Sequence, residues 1–114
     1  MTLTMTHGSD MKDCIDNCDD CHSICLETVT WCLQQGGDHA APEHIQLLQD
    51  CAEICQTSAN FMIRGSSFHS LTCGACAEIC ERCATHCESM DGDQMAACAA
   101  ACRRCAESCT AMAA

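Results

Sequence analysis

Cys73, Cys76, Cys80, Cys83 and Cys87 lie in the stretch CGACAEICERCATHC at steps of three, four, three and four. That alternation keeps all five on one stripe of an α-helix. The same rhythm carries Cys14, Cys18, Cys21, Cys25 and Cys32, with Thr28 in the one vacant slot, and again Cys98, Cys102, Cys105 and Cys109. Cys51 and Cys55, spaced by four, complete a set of sixteen. Once each run is phased, every cysteine falls at an a or d heptad position, an outcome with a chance on the order of 10⁻⁶. Thiols gathered at that density suit three kinds of chemistry: packing, disulfide formation, and ligation of soft metal ions.

As packing, sixteen thiols give up much of the burial energy that Leu or Ile would supply at the same positions. As disulfides, neighbours one helical turn apart have Cβ atoms about 5–6 Å apart, whereas a disulfide needs about 3.5–4.5 Å. Bridges within a helix would deform it and only cross-helix ones remain, so a disulfide-bonded structural or redox protein is one alternative. A metal ion relaxes the distance: two metal–sulfur bonds of about 2.3 Å span about 4.6 Å. Two-coordinate thiolate binding is the habit of Cu(I). Zinc prefers closed sites of four ligands, which makes a zinc or cadmium thiolate buffer the other alternative. The loop motif and following proline of an iron–sulfur ferredoxin are missing. If each thiolate bridges two monovalent ions and each ion takes two thiolates, the buried assembly is neutral, with a ceiling of roughly sixteen Cu(I) per chain.

The stripes require helices to carry them, at about 9–35, 43–64, 67–90 and 93–112. Ser9 is the expected N-cap of the first, and Gly36-Gly37 its stop. Pro42 opens the second, which carries His44, Leu48, Cys51, Cys55, Ser58 and Met62 on its stripe and ends at Gly65 as C′ residue. The turn DGD leads into the fourth, with Asp93 as the expected N-cap. Short links between amphipathic helices predict an all-α chain, an antiparallel up-down-up-down four-helix bundle with a cysteine-lined core, in one domain over 1–114.

Composition narrows the function further. Sixteen acids against five bases give a formal charge of −11, which disfavours nucleic acid and anionic membrane as partners. With one Trp, two Phe and no Tyr, an aromatic core is excluded. The start MTLTMTHGSDMKDC has neither a basic segment nor an apolar run of signal length, so a reducing cytoplasm is expected, where dense cysteine means metal. No triad, carboxylate pair or phosphate loop is present, so an enzyme is not expected. Lys12, Arg82, Arg103 and Arg104 lie off the stripe and read as surface charge.

In such a bundle the starts of helices one and three lie beside the ends of helices two and four. That end gathers Met11, Met62, His69 and Met112, with Met5 and His7 close in sequence, and reads as a mouth for copper. Imidazoles and thioethers bind Cu(I) without the proton competition that thiols face. At the opposite end, His44 sits on the seam among Leu48, Met90 and Met95, which suggest an apolar plug. His22, His39 and His86 lie off the stripe and read as solvated.

The four in-phase cysteine helices, including CGACAEICERCATHC and CAAACRRCAESC, resemble the bacterial copper storage proteins in their signal-less cytosolic branch, from about Ser9 to Met112. The resemblance implies a homotetramer of four-helix bundles, with many Cu(I) ions held inside each on the sixteen cysteines. It also implies His and Met residues near an open bundle end. The pattern thins at the second helix, with only Cys51 and Cys55, and at Thr28.

Overall fold

Helices this poor in large apolar residues hold together only if their seams interlock. A computed structural model describes residues 2–114, with side chains from Asp10 onward. It has α1 (Thr2–Gln35), a 3-10 turn (Gly37–Ala40), α2 (Pro42–Ile63), α3 (His69–Glu88) and α4 (Asp93–Ala113), with no strand among the described residues. α1 and α3 each pack against both α2 and α4, and the diagonal pairs keep their backbones apart but meet across the axis through cysteine side chains, as Cys55 of α2 and Cys105 of α4 do at 3.7 Å. The register is antiparallel. Cys14, Cys21 and Cys25 of α1 meet Cys109, Cys102 and Cys98 of α4 at Sγ–Sγ distances of 3.5, 3.6 and 3.8 Å. Ser58, Cys55 and Cys51 of α2 meet Cys73, Cys76 and Cys80 of α3 at 3.3, 3.7 and 3.6 Å.

The expected stops are present. Gly36 takes φ +72° after the last turn of α1. At the end of α2, Gly65 has φ +66° and donates to Met62 O at 3.0 Å, while Ser66 donates to Phe61 O at 2.9 Å. That pair of bonds satisfies the last carbonyls as a Schellman motif does. Pro42 is the first residue of α2, where its missing N–H is one the helix could not have bonded.

Three boundaries differ from expectation. α1 begins at Thr2, so Ser9 lies inside the helix and is not its N-cap; the three threonines and Gly8 before it weaken helix without forbidding it. α3 is shorter at both ends than 67–90. A turn in which Phe68 N donates to Ser66 Oγ at 3.1 Å precedes it, and tight bonds from Ser89 and Met90 back to His86 and Cys87, both 3.1 Å, close it. Asp93 is the first helical residue and Gly92 the cap. Gly92 holds φ +120° under Trp31, and a Cβ there would lie 2.8 Å from the indole, so the turn excludes a side chain. Asp93 instead places its carboxylate in the first turn, at the positive end of the helix dipole.

All sixteen cysteines are buried, none more than 1% exposed. Ala52, Ala59, Ala77, Ala84, Ala99, Ala101 and Ala106 are buried beside them. These small flanking residues let the backbones approach until sulfur meets sulfur across the axis. Thr28 fills its slot without loss: its hydroxyl donates to Ile24 O at 2.7 Å and accepts from Gln94 Nε2 at 2.9 Å.

Candidate metal centre

Eleven of the sixteen thiols form one continuous path. Starting at Cys14, contacts of 3.5 to 3.9 Å run through Cys109, Cys18, Cys105, Cys55, Cys80, Cys51, Cys21, Cys102 and Cys25 to Cys98. All sixteen are free thiols, and these separations are far beyond the disulfide length of about 2.05 Å. Along the path, with Cys76 beside it, three four-thiol sets have all their sulfurs within 4.8 Å of one another: Cys18, Cys76, Cys105, Cys109; Cys21, Cys55, Cys80, Cys105; and Cys21, Cys25, Cys51, Cys102. Cys14, Cys73 and Cys109 form a three-thiol set at one end. Cys105, Cys21 and Cys109 each belong to two sets, so the sets share ligands and do not close as separate sites.

These distances suit insertion of a soft ion. Sulfurs in contact at 3.5 to 3.9 Å must separate by a few tenths of an ångström for trigonal ligation, and by about 1 Å for a linear S–M–S unit of about 4.6 Å. Rotamer adjustment on a straight helix supplies a movement of that size. Cys51 and Cys55 of α2 each join a four-thiol set, so the helix with fewest sulfurs still contributes at mid-tube.

Burial keeps protons on the sulfur. It pushes the Cys32 thiol up to about 11, helped by the charge of Cys98. Cys73 also reaches about 11: its hydrogen bond with Cys109 favours the thiolate, but the bond with Cys14 and burial outweigh it. Inside the tube, partners move apart, Cys102 upward chiefly through its contact with Cys21, and Cys21 downward chiefly through Cys102. Such thiols titrate as a set, and an incoming cation must displace the protons they share.

The two ends of the tube are built differently. Cys14 and Cys109 touch at 3.5 Å and Ser58 and Cys73 at 3.3 Å, so Met11, Met112, Met62 and His69 each lie one turn beyond that layer. Met62 and Met112 are buried in the core, Met11 packs on it, and His69 is half-buried with Nδ1 3.0 Å from Ser66 O, which leaves Nε2 as its free nitrogen. The side chains of Met5 and His7 lie outside the described residues.

At the opposite end the expected apolar plug is only partly apolar. Leu48 and Met95 are fully buried, but so is His44, with Nε2 3.3 Å from Cys32 Sγ and its ring stacked on His86 at 4.8 Å between centroids. Burial lowers the pKa of His44, and the neighbouring charge of His86 adds to it.

The off-stripe histidines are not simply solvated either. His86 has a buried, unpartnered Nε2. His22 Nδ1 bonds Ala52 O at 2.8 Å, and His39 Nε2 bonds Asp91 O at 3.0 Å with its ring edge-on to Trp31. His86 precedes Cys87 at a g position, a place on the helix face that packs; that signal was available. Its partner His44 comes from another helix, which no periodicity reveals. As expected, the cations are at the surface, with Arg103 paired to Glu88 at 2.8 Å.

A family model described as "Csp: Copper storage protein" matches residues 7–114. The chain belongs to the copper storage protein family. Among solved structures, the Nmul_A1745 protein of Nitrosospira multiformis is 48% identical, with a TM-score of 0.89 over 93% of this chain and 96% of that one. The Cu(I)-bound copper storage protein BsCsp3 is 40% identical, with a TM-score of 0.87 over 92% of this chain and 99% of that one. The apo form of copper storage protein 3 from Bacillus subtilis is also 40% identical, at a TM-score of 0.82 over 90% and 98%. A cysteine-rich protein of that organism, YhjQ, is 42% identical over 70% of this chain and 74% of its own length. The four-helix bundle of the copper storage family is thus the fold of this chain, and its thiol tube is the family's kind of metal centre.

Proposed function

We propose that this chain is a high-capacity store that holds Cu(I) on its sixteen cysteines and performs no catalysis. The observation that carries the reading is the unbroken path of buried thiols, shared between overlapping sets and contributed by all four helices. Shared thiolates suit bridged monovalent ions, which leave the interior neutral. The same four-thiol sets are the specific observation behind a zinc or cadmium buffer. A divalent ion on four unshared thiolates carries a net charge of −2 into a dry core, however, and in sets that share Cys21 and Cys105 each tetrahedron closes only if those thiolates bridge two divalent ions.

The protein is proposed to work in a reducing cytoplasm, where thiols stay available. No helix among the described residues is long and apolar enough to cross a membrane, which is in keeping with that location. Met11, Met62, Met112 and His69 are proposed as transient ligands at the mouth. A homotetramer is supported by the exposed Leu26, Leu33 and Leu71, which an isolated bundle leaves in water. The test is metal choice: reduced apo protein offered equal Cu(I) and Zn(II) under anaerobic conditions should retain copper and exclude zinc through gel filtration. Retention of zinc at a few ions per chain in preference to copper would select the divalent buffer.

A further inference from the structure

The cations of this chain are already engaged. Lys12 pairs with Asp16, Arg82 with Glu78 and Arg103 with Glu88, while Arg64 lies 4.8 Å over the Phe61 ring and Arg104 shares a groove with Asp10, Asp13 and Glu107. Where α1 stops and α2 and α4 begin, by contrast, Asp38, Glu43 and Asp91 line one pocket of about 380 Å³, and none of them has an ion pair among the described residues. The same pocket reaches His44 and His86, whose Nδ1 and Nε2 respectively are buried without hydrogen-bond partners. His44 is only 1% exposed. A buried polar atom left unpaired is costly, so two at one pocket point to a missing partner.

The hydrogen bonds behind the pocket define what that partner must offer. Met95 Sδ can only accept, so the Cys32 thiol donates to it at 3.6 Å. The Cys32 sulfur then accepts from His44 Nε2–H at 3.3 Å, which leaves Nδ1 of the neutral ring as a bare acceptor facing the pocket. Ser89 donates its hydroxyl hydrogen to His86 O at 2.6 Å, so its oxygen too can only accept. Acceptors therefore dominate the side chains around the opening.

We propose that this pocket is a docking site for an arginine side chain on the basic surface of a partner protein. A guanidinium carries five N–H donors in one plane and no acceptor, so it can serve His44 Nδ1 and the carboxylates together and lie along the imidazole stack. A single metal ion fits less well. The two rings are 4.8 Å apart at an interplanar angle of 30°, so their planes converge well beyond a metal–nitrogen bond of about 2.0–2.1 Å. The arginine comes from another protein because this chain's own cations are engaged, and a formal charge of −11 steers a basic surface toward it. A partner held there sits against His44, one contact away from Cys32 at the end of the tube.

The test uses reduced, metal-free, full-length protein labelled with ¹⁵N-histidine and titrated with a capped Gly-Arg-Gly peptide or its citrulline counterpart, which keeps the shape without the charge. The arginine peptide should move the His44 Nδ1 and His86 Nε2 resonances saturably and bind at least about tenfold more tightly than the citrulline peptide, weakening severalfold between about 20 and about 200 mM salt. Glu43→Gln and Asp91→Asn should each weaken the arginine peptide about threefold and leave the Cu(I) titration of the folded protein unchanged. Resonances that stay still at millimolar arginine peptide, or that respond equally to the citrulline peptide, overturn the proposal. A loss of copper capacity in either variant with peptide binding intact overturns it as well, because it would assign the carboxylates to the metal.

Discussion

At the end of the tube where α1 enters and α4 finishes, Cys14, Cys73 and Cys109 form an all-thiol set backed by the Ser58 hydroxyl, and thioethers pack beyond it. At the other end Cys32 stands beside an imidazole and a thioether, under a pocket lined by carboxylates. Between them sulfur dominates the lining, interrupted by Thr28 and Leu48. The difference separates capacity from exchange: shared thiolates in the middle set how many ions are held, whereas neutral donors at a rim bind without releasing a proton and set how readily ions pass.

The largest effect should come from the middle. Cys105 belongs to two four-thiol sets, so Cys105→Ser should lower Cu(I) capacity by roughly two ions or more in an anaerobic titration, against about one for Cys32→Ser. Equal losses would break the distinction between middle and end. Next comes the scaffold that closes the imidazole end. Gly92→Ala forces a Cβ against Trp31 at a positive φ and should destabilise the apo bundle by about 1–3 kcal/mol, read as a lower melting temperature with copper capacity unchanged.

Proton competition should follow. Cys32 and Cys73 both titrate near 11 in the folded chain, above the ordinary thiol value of 9.0. Below about pH 9 both are protonated, folded or unfolded, and their contribution to apo stability is fully present. Between pH 9 and 11 the unfolded chain loses these protons first, so that contribution should fall as pH rises, which denaturant midpoints will show. Copper binding has the opposite slope: for each thiol proton an ion displaces, apparent affinity should rise about tenfold per pH unit in competition titrations below pH 9. The smallest effect is expected at the all-thiol end, where the paired change Met62→Leu with His69→Ala should slow copper uptake a few-fold in stopped flow and leave final capacity intact. Uptake at the wild-type rate would move the functional entrance to the His44 end.

The bundle was legible in the sequence because a strict alternation of threes and fours through four segments has one structural solution. The stop at Gly65 and the start at Pro42 were legible for the same local reason: their backbone constraints act without help from the rest of the fold. Ser9 and Asp93 were not, since a cap is chosen by what packs around it, and the indole of Trp31 over Gly92 comes from another helix. Thr28 was visible as a gap in the sulfur, but its bond to Gln94 was not. The end read as a plug shows the limit most clearly. Leu48 and Met95 carried the apolar signal, while the meeting of His44, His86 and Cys32 depends on the register between three helices.

The central claim is that overlapping thiol sets hold many monovalent ions in one interior, and its most direct measurement is an anaerobic Cu(I) titration of reduced, full-length protein with metal and thiol quantified together. Tight binding of well over about eight ions per chain, approaching the ceiling of roughly sixteen, is the result this account predicts. Saturation near four ions per chain, with zinc able to displace the copper, would contradict it.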